Sequence, residues 1–274
     1  MGIASDIAGD WEASLAALGW QVEAGVDEVL AEIPVNRYDL PEASPVRRMA
    51  AAPVAANPRQ AAAPAPSPAP AGTGPDPVAA ARSAAETAQS LDDLREAIAA
   101  FDLCELKKGA RNTVFSDGNP AARVLVLGEA PGRDEDIEGR PFVGRAGQLL
   151  DRMFAAIGLS RTSPDTESAL YITNVMPWRP PGNRDPDPAE IAMMKPFVER
   201  HIDLVDPQVI VVMGNTPLLC LTGNRGILRA RGNWVEAVGR PMLPMTHPAY
   251  LLRNPAAKRE AWADLLAIRE RLRG

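Results

Sequence analysis

The sequence is poor in the residues from which disulfide frameworks and metal clusters are built. Its 274 residues include only two cysteines and two histidines. Two cysteines, Cys104 and Cys220, exclude a disulfide-rich scaffold and fit a reducing compartment. No apolar run approaches the ~20 residues that a membrane helix needs, and the N-terminal stretch lacks the basic start and apolar centre of a secretory signal. We therefore expect a cytoplasmic protein.

The net charge of −6 is a poor match for a nucleic-acid-binding protein, but this charge is unevenly distributed. Residues 1–100 contain 6 Lys and Arg against 14 Asp and Glu, a net charge of −8, whereas residues 101–274 contain 23 against 21, a net charge of +2. The acidity belongs to the N-terminal part. The rest of the chain can still present a basic face to phosphate.

Composition divides the chain into three segments. Residues 1–40 carry apolar residues near helical spacing and are predicted to form a helical segment. Residues 41–82 are dominated by Ala and Pro and cannot bury enough surface to fold, so we predict a disordered linker. Residues 83–274 alternate strand-like and helix-like patterns. This alternation favours a three-layer α/β/α sandwich with a mainly parallel central sheet.

Apolar runs and helical periodicity predict the main elements of this third segment. Strands are expected at 124–127, 170–173, 209–213 and 242–246, and helices at 146–157, 187–202 and 256–272. On the last helix, Trp262, Leu265, Leu266 and Leu272 are predicted to face the core. His201 stands among charged residues of the second helix, so we expect it to be solvated.

The segment 124–150 joins a buried strand to an acidic, glycine-rich loop and then to an amphipathic helix. The loop follows the carboxyl end of the strand, which is where open α/β sheets bind their ligands. It holds five carboxylates between Glu129 and Glu138. Because these charges repel phosphate, the loop does not suit a nucleotide-phosphate site.

The motif GEAPG, followed by ED and then by GRPFVGRAGQLL, closely resembles the first motif of family 4 uracil-DNA glycosylases, a bacterial and archaeal group. The resemblance runs from about Phe101 to the C-terminus and includes the segments YITNV and MTHPAY. It implies a monofunctional enzyme of base-excision repair that flips uracil out of DNA and hydrolyses its N-glycosidic bond. Uracil-containing DNA is thus the expected partner, and we expect a monomer whose N-terminal helices bind an unknown partner.

Removing a base from a duplex requires a pocket that stacks the extruded ring and reads its edge. The resemblance assigns the stacking to Phe142 and the reading to Asn174, whose amide matches the O4 and N3–H of uracil. Ala130 and Gly132 are expected to line the same site, and Ala130 stands where other uracil glycosylases carry a water-orienting Asp. From the residues alone, Phe142 can equally be a core residue, and Asn174 can bond its own turn.

The resemblance places His247 against uracil O2, where it would stabilise the anionic leaving base. A carboxylate must then position the water, and Glu129 and Glu135 both remain candidates. Glu135 also resembles the residue whose bulk excludes the methyl group of thymine. Asp136 can be a purely structural acceptor. No Lys occupies an obvious nucleophile position, so we expect base hydrolysis without strand cleavage.

Contacts to DNA are expected from Arg145 and from the segment after His247. The resemblance suggests that Leu251 or Leu252 fills the vacated stack and that Arg253 meets phosphate. From the residues alone, the segment can equally be the start of a helix.

The family usually binds a 4Fe-4S cluster through four cysteines, and this chain departs from that pattern. The matching positions are Phe101, Cys104, Trp178 and Met194. Because one thiolate cannot hold such a cluster, we predict no metal and no cofactor, and an apolar cluster in the vacated volume.

Two other functions compete with the glycosylase. One is a non-catalytic DNA- or partner-binding protein that keeps the pocket, and the other is hydrolysis of a free nucleotide or nucleoside. The joint presence of Phe142, Asn174, His247, Glu129 and Glu135 favours the enzyme.

Overall fold

The computed structural model of the protein describes residues 76–273. The helical segment predicted for 1–40 and the linker up to residue 75 lie outside this range. In chain order the elements are α1 Pro77–Thr87, α2 Leu91–Ala100, α3 Leu106–Gly109, β1 Ser116–Gly118, β2 Val124–Gly128, α4 Arg133–Glu138, α5 Arg145–Ala155, β3 Leu170–Asn174, α6 Pro188–Val205, β4 Val209–Met213, α7 Asn215–Thr222, α8 Ile227–Ala230, β5 Val235–Ala237, β6 Arg240–Met245, α9 Pro248–Arg253 and α10 Lys258–Arg273. Among these described helices, none is long and apolar enough to cross a membrane.

The strands form one mixed sheet in the order β1-β3-β2-β4-β6-β5. The four central strands are parallel, and β1 and β5 join the edges antiparallel. The four central strands confirm those predicted from the apolar runs. The edge strands have three residues each, too short to produce a recognisable alternation.

The sheet is buried on both faces, as the predicted sandwich requires. Along β2, Leu125 and Leu127 pack into a core shared with α1, α2, α6 and α7, whereas Val124 and Val126 pack into a second core with α5, α9 and α10. Successive side chains of a strand point to opposite faces, so a continuous apolar strand feeds both cores. Full burial of each such side chain stabilises the fold by about 1.5–3 kcal/mol.

Helix α1 belongs to the compact body. Ala81 and Ala85 are buried, and the guanidinium of Arg200 on α6 donates to the carbonyl oxygen of Ala88 at 2.9 and 2.7 Å. The body therefore includes residues 77–82, which the composition alone assigned to the linker. The Ala-rich composition of α1 conceals it, because Ala serves both an Ala/Pro tether and a closely packed helix.

His201 is buried, so the prediction of a solvated residue is wrong. Its Nε2 lies 2.8 Å from the hydroxyl of Tyr171, and its ring stacks on Phe115 with centroids 4.5 Å apart. The helical period explains the burial, because His201 follows Met194 and Phe197 on the apolar face of α6. Burial lowers the pKa of His201 to about 3, so the ring is neutral at physiological pH.

Two residues of α10 also depart from the prediction. Leu265 faces the core, but Trp262 and Leu266 are 43% and 42% exposed. The inner face includes the buried Asp264, which pairs with Arg231. The buried face of α10 consists of Ala261, Asp264, Leu265 and Ile268, and this leaves Trp262 and Leu266 on its outer side.

Candidate active site

The carboxyl ends of β2, β3, β4 and β6 open into a cavity of about 620 Å³, here called the base pocket. Its wall includes eight of the predicted site residues: Glu129, Ala130, Gly132, Glu135, Phe142, Asn174, His247 and Arg253. These residues come from separate segments of the chain, and parallel strands bring them to one edge of the sheet. The acidic loop that leads into the pocket is partly helical, since α4 spans Arg133–Glu138.

Phe142 is held in a backbone conformation that a bulky side chain rarely adopts. Its φ is +54°, and its buried ring lies 5.4 Å from the ring of His247 at an interplanar angle of 27°. Such a left-handed residue costs about 1–3 kcal/mol and persists only where its surroundings impose it.

Arg161 binds the backbone on both sides of this peptide, and the sequence alone did not point to it. Its guanidinium donates to the carbonyl oxygens of Pro141 and Phe142, each at 2.9 Å. It also pairs with Asp117 at 3.0 Å and Asp151 at 2.8 Å. The loop position of Arg161 carries no periodicity that could have revealed the clamp.

Gly128 allows the side chains of Phe142 and Asn174 to approach each other. A Cβ at this position would lie 2.2 Å from Oδ1 of Asn174 and 2.5 Å from the ring of Phe142. Both distances are far below van der Waals contact, so only glycine lets these two side chains meet over the end of β2. The first glycine of the GEAPG motif thus has a steric purpose.

Asn174 ends β3 directly beside Gly128 in the register of the sheet. The residue is buried, and its Oδ1 has no hydrogen-bond partner among the described residues. Leaving a buried polar atom unsatisfied costs about 1–3 kcal/mol. A buried amide with spare bonding capacity in the wall of a cavity is suited to a ligand with a polar edge.

His247 has a defined tautomer. The backbone N–H of Ala249 donates to Nδ1 at 3.2 Å, which leaves the proton of a neutral ring on Nε2. Burial, with a smaller effect from Arg253, lowers the pKa of His247 to about 4. Near neutral pH the ring is therefore uncharged and can donate from Nε2.

Glu129 is partly buried at the mouth of β2, and its Oε2 accepts a 2.6 Å hydrogen bond from the hydroxyl of Thr216. Burial raises the pKa of Glu129 above its ordinary value, and the Thr216 hydrogen bond offsets part of that rise. Thr216 sits in the first turn of α7, after β4, and is a pocket residue that the sequence did not reveal.

The second candidate carboxylate is occupied by the backbone. Glu135 accepts hydrogen bonds from the N–H groups of Gly132 at 3.0 Å and of Val143 and Gly144 at 2.9 Å each. It thereby ties the loop after β2 to the segment that carries Phe142. Asp136 is likewise structural, because its Oδ1 accepts from the N–H groups of Arg111 and Asn112.

The predicted DNA-contacting residues differ in exposure. Arg145 and Arg253 are exposed, and Leu252 is partly buried. Leu251 is fully buried in the second core, so it cannot enter a duplex from this position, and its assignment is corrected to a core residue. The segment is the helix α9, in which one side necessarily faces inward.

The four positions that would match cluster ligands form part of the first apolar core. Phe101, Cys104, Trp178 and Met194 are all buried there, and the indole N–H of Trp178 donates to Thr113 at 3.0 Å. Cys220, on α7, is the only other cysteine. In the described range, no group of three or more His, Cys, Asp or Glu residues could hold a metal ion. The residues present therefore do not fit a four-thiolate cluster.

Comparison with known proteins identifies the family. The family model of the uracil DNA glycosylase superfamily matches residues 115–266. A type-4 uracil-DNA glycosylase of Archaeoglobus fulgidus is 36% identical over 193 residues, which cover 66% of this chain and 93% of the relative. Those of Sulfurisphaera tokodaii and Thermotoga maritima are 37% and 40% identical and cover 66% and 55% of this chain, and 84% and 77% of their own lengths. The chain therefore belongs to the uracil-DNA glycosylase superfamily, in its type-4 branch.

Proposed function

We propose that this protein excises uracil from DNA by hydrolysing the N-glycosidic bond and leaving an abasic site. The observation that carries the proposal is the convergence of Phe142, Asn174, His247 and Glu129 on one pocket. Relatives that are named as uracil-DNA glycosylases support it. The fact that these four residues, which the family resemblance selects, line one cavity also supports the proposal.

Recognition in this proposal is divided between a stacking face and a polar edge. The extruded ring stacks on Phe142, while the Asn174 amide donates to O4 and accepts from N3–H. Cytosine presents the opposite pattern at these two positions and is rejected. The free Oδ1 of Asn174 supports this role, because uracil supplies the partner that the protein does not.

Bond cleavage uses Glu129 and His247. A water molecule held by Glu129 attacks C1′, the C1′–N1 bond breaks, and its electron pair leaves with uracil. The neutral His247 donates from Nε2 to O2 and stabilises the resulting anion, while the proton of the water passes to Glu129. We assign the water to Glu129 because Glu135 already accepts three backbone hydrogen bonds.

We propose further that catalysis needs no iron-sulfur cluster. Trp178 and Met194 are fully buried at two of the positions where ligands would stand. Iron analysis and the visible absorption spectrum of the purified full-length protein test this point. About four irons per chain with a charge-transfer band near ~400 nm would contradict it.

A single chain supplies every residue that the mechanism uses, which supports action as a monomer. The low cysteine content supports a reducing compartment such as the cytoplasm. The molar mass of the purified protein in solution, measured by light scattering, tests whether it is a monomer.

Excision of uracil is tested with a labelled oligonucleotide that carries one uracil. The full-length protein is incubated in enzyme excess with a U·G duplex, a T·G duplex and a uracil-containing single strand, and abasic sites are then cleaved with alkali. We expect cleavage of the U·G duplex and of a uracil-containing single strand, and loss of activity in Asn174→Asp. Wild-type protein that releases no uracil from the U·G duplex or from the single strand would refute the function.

A further inference from the structure

An exposed leucine stands at the rim of the base pocket. Leu228 on α8 is 57% exposed, more than any other large apolar residue of the described chain. It lines the same cavity as His247 and Arg253. Single exposed leucines are common on protein surfaces, so exposure alone assigns no role, but this one lies where an extruded base must pass.

The local structure holds Leu228 outward. Before it, the side chain of Asn215 accepts hydrogen bonds from the N–H groups of Gly226 at 3.1 Å and Ile227 at 2.9 Å, and Ile227 is buried. After it, Arg231 bonds the carboxylate of Asp264 and donates to the carbonyl oxygen of Glu260 at 2.8 Å. Anchors on both sides prevent α8 from turning its leucine into the core.

Arginines stand near Leu228 at the cavity, whose lining also includes the carboxylates of Glu129, Glu135 and Asp185. Arg225 and Arg229 are exposed on the same short segment, and Arg253 lies at the same cavity. None of these three arginines forms an ion pair with another residue of the range 76–273. A lone apolar side chain bordered by free arginines suits a polyanion with a stacked interior, whereas a protein interface needs a larger apolar patch.

We infer that α8 is a DNA-contacting element in which Leu228 enters the duplex beside the extruded nucleotide and Arg225 and Arg229 bind phosphates. This inference rests on the proposed uracil excision. The sequence offered this role to Leu251 or Leu252, but Leu251 is buried, and Leu252 packs partly against the second core and does not line the base pocket. Leu228 therefore takes the role. Inserting an apolar side chain compensates for the stacking that the duplex loses when a base leaves it.

The test compares Leu228→Ala with Leu266→Ala, a matched exposed leucine on α10 that does not line the base pocket. Single-turnover excision is measured on a U·G duplex and on a uracil-containing single strand of the same sequence. We expect Leu228→Ala to slow excision from the duplex about tenfold and from the single strand less than about twofold, because only the duplex must be unstacked. Leu266→Ala should match the wild type on both substrates.

The arginines are tested by the salt dependence of binding to a duplex that carries an abasic site. Replacing both Arg225 and Arg229 with Ala should reduce the slope of log affinity against log salt by about two, since each phosphate contact contributes about 0.9. Unchanged melting midpoints of all variants establish that they are folded.

Three outcomes decide between the proposals. Wild-type protein that is inactive on both substrates refutes the proposed function itself. Active wild-type protein with an unaffected Leu228→Ala variant overturns only the inference about α8. Equal losses on duplex and single strand also overturn it, because they place Leu228 in base binding and not in duplex entry.

Discussion

The base pocket and the apolar cluster around Trp178 are both buried, but they differ in whether their buried polar atoms have hydrogen-bond partners. In the pocket, Oδ1 of Asn174 and Oγ1 of Thr246 are buried without a partner among the described residues. In the cluster, the indole N–H of Trp178 is bonded to Thr113 and the neighbours are apolar. The pocket keeps bonding capacity for a ligand at a cost in stability, whereas the cluster is packed for stability alone.

This difference predicts that mutations in the two regions affect different properties of the protein. A change in the cluster should alter the free energy of unfolding and leave the rate per folded molecule unaltered. A change in the pocket should alter the rate per folded molecule and have little effect on the free energy of unfolding.

The largest effect is expected for Trp178→Ala. Removing a fully buried aromatic side chain should lower the free energy of unfolding by about 3–5 kcal/mol. Denaturant unfolding measures this value, and Trp262→Ala, at an exposed position, is the matched control with an expected change within about 0.5 kcal/mol. Equal effects of the two variants would mean that the cluster contributes no special packing.

His247→Ala should have the next largest effect, and on rate. Loss of one preorganised donor to a developing anion costs about 2.7–4 kcal/mol of transition-state stabilisation. Single-turnover excision from a U·G duplex measures it, with little expected change in DNA affinity. The other histidine provides the control, because His201→Gln should shift the melting midpoint and spare the rate. A rate loss in His201→Gln that equals the loss in His247→Ala would break the distinction between the regions.

Thr216→Val tests the smallest effect, on the pH dependence of excision. Glu129 must be ionised to take the proton of water, so the rate falls as pH drops through the pKa of Glu129, which burial raises. The Thr216 hydroxyl stabilises the carboxylate and lowers this pKa. Valine removes that hydrogen bond, so the acid limb of the rate profile should move to higher pH.

Thr216→Ser keeps the hydroxyl and should retain the wild-type profile. If the profiles of Thr216→Val and wild type superimpose, Glu129 does not govern the acid limb.

Individual residues show which parts of the candidate site could be predicted from the sequence. The sequence selected Phe142, Asn174 and His247 as candidates because each lies in or after a recognisable strand or motif, and the structure places all three in the wall of one cavity. It missed Arg161 and Thr216, which act on Phe142 and Glu129 through contacts between distant segments. It misplaced His201 and Leu251, because the face that a helical residue presents depends on which neighbours the helix packs against.

The sequence by itself determined the family, the parallel core of the sheet and the residues at its strand ends, because apolar runs and local motifs are properties of neighbouring residues. Only the tertiary structure decided which carboxylate accepts the fewest hydrogen bonds, which leucine is exposed and which arginine binds the backbone carbonyl of Phe142. Each of those answers depends on hydrogen bonds and burial between segments far apart in the chain. Glu129 and Glu135 are the same residue type in the same loop, so the sequence cannot distinguish them. In the structure, Glu135 accepts hydrogen bonds from three backbone N–H groups, whereas Glu129 accepts one from a hydroxyl.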